Sequence, residues 1–128
     1  MKLLLDTHML IWWQANDPRL PKALVELVQS QVTDVFVSHA SLWEIAIKQS
    51  LGKIDINLTD LLKFSKQTGF QWLEIDEQAI LAVNTLPAIA NHKDPFDRML
   101  IAQSMVHHLT FMTSDKKMSL YPALVKVF

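Results

Sequence analysis

Short apolar runs alternate along this chain with longer segments whose apolar positions recur every three or four residues, the alternation expected of strands and helices that follow one another. Residues 2–5, 34–37, 71–75 and 109–113 have the length and apolar character of buried strands, and residues 124–127 add a short last one. Between them the spacing predicts helices over residues 7–14, 21–31, 38–51, 59–68, 76–85 and 94–108. Punctuation agrees with these boundaries. Pro18 and Pro21 separate the first two helices, Ser38 stands where a capping hydroxyl belongs, and Asp94-Pro95 has the grammar of a cap followed by a first-turn proline. Gly52 and Gly69 follow two helices at the position that favours a left-handed turn, and Pro87 follows a third.

Repeated strand–helix–strand units imply an α/β fold with a mainly parallel sheet covered by helices on both faces. The 128 residues hold only two glycines and no low-complexity segment, repeat or polar linker, so a single domain spanning 1–128 is expected. No run reaches the length of a membrane span, and Asp6 and His8 interrupt the apolar start that a signal peptide would need. The absence of cysteine excludes a disulfide framework and thiolate metal sites, which makes a reducing cytoplasm the expected compartment. A net charge of −1 supplies no general attraction for nucleic acid, so a polyanionic substrate would need local cations or a bridging metal.

Four carboxylates then stand out by position. Asp6 closes Leu3-Leu4-Leu5 and Asp115 follows the strand that ends near Thr113, both at the carboxyl edge where open α/β sheets carry ligands. Glu44 and Asp97 lie early in two helices that lead away from that edge. Carboxylates gathered within a few ångströms repel by roughly 4 kcal/mol per pair at about 4 Å and an effective dielectric near 20, so something positive must sit between them. A hard cation such as Mg²⁺ or Mn²⁺ suits oxygen ligands. Simpler roles compete: Asp6 and Asp115 as turn formers, Glu44 as a surface partner of Lys48 one helical turn on, Asp97 as a charge on the helix dipole. Asp94 reads first as the helix cap and second as a water-mediated contributor to the site.

Four segments, Leu5-Asp6-Thr7-His8, Ser38 to Lys48 with Gly52-Lys53, Asp94-Pro95-Phe96-Asp97-Arg98-Met99-Leu100-Ile101-Ala102-Gln103 and Thr113-Ser114-Asp115, together resemble the PIN-domain ribonucleases, above all VapC-type toxins of bacterial toxin–antitoxin pairs. They occur in the family's order and cover nearly the whole chain. The resemblance implies a three-layer α/β/α sandwich and a metal-dependent endoribonuclease that uses Mg²⁺ or Mn²⁺. It implies Asp6, Glu44, Asp97 and Asp115 as ligands, with Thr7, Thr113 and Ser114 supporting them. It also implies an RNA substrate cut to 5′-phosphate and 3′-hydroxyl ends, a homodimer and a cognate antitoxin. Two alternatives stand beside it: a PIN scaffold kept only for protein binding, and a haloacid-dehalogenase-like phosphohydrolase, whose second aspartate would fall on His8.

Basic residues near the acids are the candidate phosphate contacts: Arg98 first, beside Asp97, then Lys48 and Lys116, with Lys93 and Lys117. His8 reads as a substrate contact or a histidine packed under a helix. His107-His108 lacks the spacing of a zinc motif and reads as a helix end. The four tryptophans read as core or interface anchors, since base stacking would require exposure.

Overall fold

The structure, a computed structural model, describes residues 1–30 and 33–128. Its elements are β1 (Lys2–Leu5), α1 (Thr7–Gln14), α2 (Lys22–Val28), β2 (Asp34–Ser38), α3 (His39–Ser50), α4 (Leu58–Thr68), β3 (Gln71–Leu73), α5 (Glu77–Val83), α6 (Pro95–Val106), β4 (Thr110–Thr113), a 3₁₀ turn (Lys116–Leu120) and β5 (Val125–Val127). The five strands form one sheet in the order β3-β2-β1-β4-β5, and every pairing is parallel.

The apolar run of β1 is continuous because both of its faces are covered. Leu3 and Leu5 pack with Val35, Val37 and Met112 against Met9 and Leu10 of α1, Leu24 of α2 and Leu61 of α4. Leu4 points the other way, with Phe36 and Phe111, onto Leu100 and Ile101 of α6. Two cores on opposite sides of one sheet make three layers.

Helix ends follow the local chemistry that the sequence predicts. Ser38 Oγ accepts from Ala40 N at 2.9 Å, and Asp94 Oδ1 accepts from Phe96 N and Asp97 N at 2.9 and 3.0 Å. Gly52 and Gly69 sit at φ +71° and +86°, and the next amides reach back to Lys48 O and Ser65 O at 2.9 Å each. His108, at φ 55°, ends α6 in the same way with Leu109 N on Ser104 O at 2.8 Å.

Some elements are shorter than predicted. Asp76 caps α5 through Ala79 N at 2.8 Å instead of entering it. β3 stops at Leu73 because β2, its one partner, ends opposite it at Ser38, where α3 begins. α2 ends at Val28, and the expected end of that helix at residue 31 lies outside the described residues. The 3₁₀ turn after Asp115 has no counterpart in the predicted elements.

Candidate active site

From β1 the chain builds outward through β2 and β3, then returns to place β4 on the opposite side of β1. The order therefore reverses at the β1–β4 seam, and helices diverge there to leave a crevice beyond the strand ends. Asp6 and Asp115 stand on the two sides of that seam. Asp6 N donates to Met112 O at 2.9 Å, continuing the sheet one residue past β1. Although Asp6 occupies the N-cap position of α1, its side chain makes no capping bond. It accepts instead from Thr113 Oγ1 at 2.6 Å, and Thr113 Oγ1 accepts from Asp115 N at 3.0 Å, so one hydroxyl couples both acids. Asp115 Oδ1 in turn accepts from Lys117 N at 3.0 Å and starts the 3₁₀ turn.

Glu44 comes from the second turn of α3 and Asp97 from the first turn of α6. Glu44 is 6% exposed, which corrects the expectation of a surface pair: Lys48 Nζ does meet its Oε2 at 2.9 Å, but over a buried carboxylate. All four acids line one cleft of about 370 Å³, together with His8, Trp12, Lys48, Asp94 and Ser114. A larger depression of about 450 Å³, lined by Trp43, Ile80, Val83, Phe96 and Met99, offers no carboxylate and so no comparable chemistry.

The cleft is electrically strained. Burial holds the Asp6 carboxyl above its ordinary range despite the Thr113 bond. Asp97 is pushed up to about 8, first by burial and then by the charges of Asp6, Asp94, Glu44 and Asp115. Among the described residues lining the cleft, Lys48 is the only permanent cation. Two buried oxygens, Asp6 Oδ1 and Glu44 Oε1, have no hydrogen-bond partner among the described residues. An orphaned buried acceptor costs about 1–3 kcal/mol, more when charged. Two orphaned carboxylate oxygens in a cleft lined by five acids fit a hard divalent cation, which would relieve the repulsion.

The structure places the other singled-out residues variously. Thr7 Oγ1 bonds Ser41 Oγ at 2.8 Å, tying α1 to α3, while the Thr7 backbone favours the Asp6 carboxylate. Ser114 lines the cleft. Arg98 does not: its guanidinium donates to Pro87 O at 3.0 Å, to Tyr121 Oη at 3.3 Å and to Leu86 O at 3.5 Å. Successive helical residues are rotated by about 100°, so the neighbour of Asp97 faces elsewhere. Lys93 borders the apolar depression, Lys116 is exposed outside the cleft, and Lys117 Nζ donates to Asn91 O at 3.3 Å. His107 Nε2 meets Asp76 Oδ2 at 2.7 Å, joining the end of α6 to the start of α5. Trp12 borders the cleft beneath Arg19, Trp13 packs edge-on against Phe70, Trp72 stacks on His39, and Trp43 is exposed against Phe96.

His92, which the sequence pattern does not flag, is buried beside the acids. One of its nitrogens lies within 4.8 Å of carboxylate oxygens of both Asp97 and Asp115. The turn that carries it inward has Asn91 at φ 60°, and the Asn91-His92 pair is the sole local hint in the sequence.

Comparison with known proteins agrees with the fold. A curated relative, Ribonuclease VapC22 of Mycobacterium tuberculosis (strain ATCC 25618 / H37Rv), is 23% identical over 125 residues, covering 91% of this chain and 88% of its own length. Among solved structures, VapBC2 from Rickettsia felis bound to a promoter DNA fragment superposes with a TM-score of 0.72 at 14% identity, covering 99% of this chain and 98% of the other. DNA-bound VapBC from Salmonella typhimurium gives 0.67 at 18% identity, with the same 99% and 98% coverage. These likenesses leave no place for a haloacid-dehalogenase-like fold. The PIN domain family model matches residues 3–124, and the chain belongs to the PIN domain family.

Proposed function

We propose that this protein is a metal-dependent endoribonuclease acting as the toxin of a type II toxin–antitoxin module. The observation that carries the reading is the pair of orphaned buried oxygens, Asp6 Oδ1 and Glu44 Oε1, in a cleft completed by Asp97 and Asp115. Asp6, Glu44, Asp97 and Asp115 would hold one or two Mg²⁺ or Mn²⁺ ions. When bound, such an ion neutralises charge on a phosphodiester and lowers the pKa of an attacking water. Thr113 fixes the Asp6 carboxylate, and Lys48 holds Glu44 while presenting a positive charge to incoming phosphate. Among the described residues lining the cleft no side chain is set up as a nucleophile; with water attacking and O3′ leaving, as the family resemblance implies, the products would carry 5′-phosphate and 3′-hydroxyl ends. A scaffold kept only for binding gains no support from a cleft that retains all four acids.

The relatives named VapC22 and VapBC support an antitoxin as partner, and the cysteine-free sequence suits a cytoplasmic home. The apolar depression lined by Trp43, Ile80 and Phe96, with Trp43 and Ile80 exposed, offers surface for that partner or for a second copy in a homodimer. Among the described residues no helix is long and apolar enough to cross a membrane. The direct test is cleavage of a labelled RNA oligonucleotide by purified protein. Cleavage is expected with Mg²⁺ or Mn²⁺ and none in excess chelator or with Asp6→Asn. Equal cleavage in chelator by wild type and variant alike would overturn the reading.

A further inference from the structure

Arg98, Tyr121, His92 and Asp97 are joined in a row. Arg98 Nη1 lies 3.3 Å from Tyr121 Oη, Tyr121 Oη lies 2.6 Å from His92 Nδ1, and His92 Nε2 lies 3.2 Å from Asp97 Oδ2. Arg98 is anchored independently by the carbonyls of Pro87 and Leu86. The row has a direction set by chemistry. A guanidinium can only donate, so Tyr121 Oη accepts from it and keeps its own proton to give. Tyr121 is 3% exposed, and among the described residues its hydroxyl has just these two polar neighbours. If His92 carried its proton on Nδ1, the tyrosine proton would be buried without an acceptor, at the cost of an unmade hydrogen bond.

We propose that Arg98, Tyr121 and His92 form a one-way hydrogen-bond relay that fixes His92 as its Nε2-protonated tautomer and thereby positions the carboxylate of Asp97 in the cleft. His92 is a positioning residue here, acting through Asp97. Arg98, the chain's foremost sequence candidate for a phosphate contact, acts two bonds further back. This inference rests on Asp97 being a cation ligand only in its functional half; the tautomer itself is a property of the metal-free chain.

The first experiment is nitrogen NMR of metal-free protein with ¹⁵N-labelled histidine at about pH 8.5, well above the ordinary histidine range. The wild type should show His92 protonated on Nε2 and bare on Nδ1, and Tyr121→Phe, which keeps the ring packing, should show a mixed or reversed tautomer. A wild-type proton on Nδ1, or a tautomer unchanged in Tyr121→Phe, overturns the relay. The second measures Mn²⁺ affinity by calorimetry at a temperature where every variant is folded. His92→Leu should weaken binding about tenfold or more, the range typical when a ligand's outer partner is lost. His92→Gln, whose amide can donate from nearly the same point, should recover most of it. Equal weakening in both variants, or none in either, overturns the positioning role. No Mn²⁺ binding by the wild type would instead overturn the cation reading of the cleft, with the tautomer result still deciding the relay.

Discussion

Thr113 Oγ1 donates to Asp6 Oδ2 at 2.6 Å across the β1–β4 seam, joining residues 107 positions apart in the chain. The same oxygen accepts from Asp115 N, so Thr113 sets the spacing of two acids at once. Thr113→Val keeps the shape and removes the bond. It should lower divalent-cation affinity and RNA cleavage by roughly 10–100-fold, whereas Thr113→Ser should stay near wild type. Calorimetric titration with Mn²⁺ and cleavage rates on one oligonucleotide check both.

The four acids should separate cleanly from the fifth. Asp6→Asn, Glu44→Gln, Asp97→Asn and Asp115→Asn should each lose more activity than the roughly 100-fold seen for outer-shell changes. Above about pH 8, where Asp97 is ionised, Asp6→Asn, Asp97→Asn and Asp115→Asn should not lower the melting temperature in chelator, because each removes like-charge repulsion, whereas Glu44→Gln also gives up its ion pair with Lys48. Asp94→Asn should keep most of the activity, since asparagine also caps a helix well. Exchange of the Asp94 and Asp97 outcomes would reassign the ligand.

Asp97 gives the metal-free protein a pH signature. Its folded value of about 8 lies above the ordinary unfolded value of about 3.9, so the folded chain keeps a proton that the unfolded chain has released. The unfolded state then binds fewer protons, and stability is full below about pH 4 and declines as pH rises through about 8. Melting temperatures in chelator should fall across that window. Mg²⁺ and the Asp97→Asn variant should each flatten the slope; a slope unchanged in Asp97→Asn would assign the titration to another group, with buried Asp6 the next in line.

Lys48 and Arg98 should behave differently towards RNA. Lys48→Gln should weaken RNA binding and reduce the salt slope of affinity by about 1, as expected for one lost phosphate contact. Arg98→Gln should leave that slope unchanged, because its donors face carbonyls and Tyr121 rather than the cleft. Filter binding of the catalytically silent Asp6→Asn background across a salt series measures both.

In cells, expression of the wild type alone should arrest growth, and Asp6→Asn should abolish the arrest. The same variant should still co-purify with the companion antitoxin, because affinity concentrates in buried anchors rather than in one carboxylate. Arrest that persists with soluble Asp6→Asn protein would point to sequestration instead of RNA cutting.

The layers and the placing of Asp6 and Asp115 were legible from local pattern, since uninterrupted apolar strands mark a sheet covered on both faces and strand ends mark its ligand edge, whereas Glu44 and Asp97, which lie in helices, were joined to them chiefly by the family resemblance. The partners of those acids were not. His92 and Tyr121 are 29 positions apart, and nothing in either neighbourhood announces the other. Arg98 misled by adjacency, since neighbours in a helix do not share a face. Thr7, beside Asp6 in sequence, bonds Ser41 for the same kind of reason.

The β1–β4 seam also sets a schedule for the newborn chain. Asp6 leaves the ribosome long before the strand that positions it, because Thr113 follows it by 107 residues. Until Thr110–Thr113 has emerged and docked, the N-terminal segment lacks one flank of its sheet and the cleft has no second wall. Synthesis at about 5–20 residues per second puts several seconds between the two events. A nascent chain that has not yet released β4 therefore holds Asp6 without the wall that carries Asp115, and the four acids can meet only after that strand has docked beside β1.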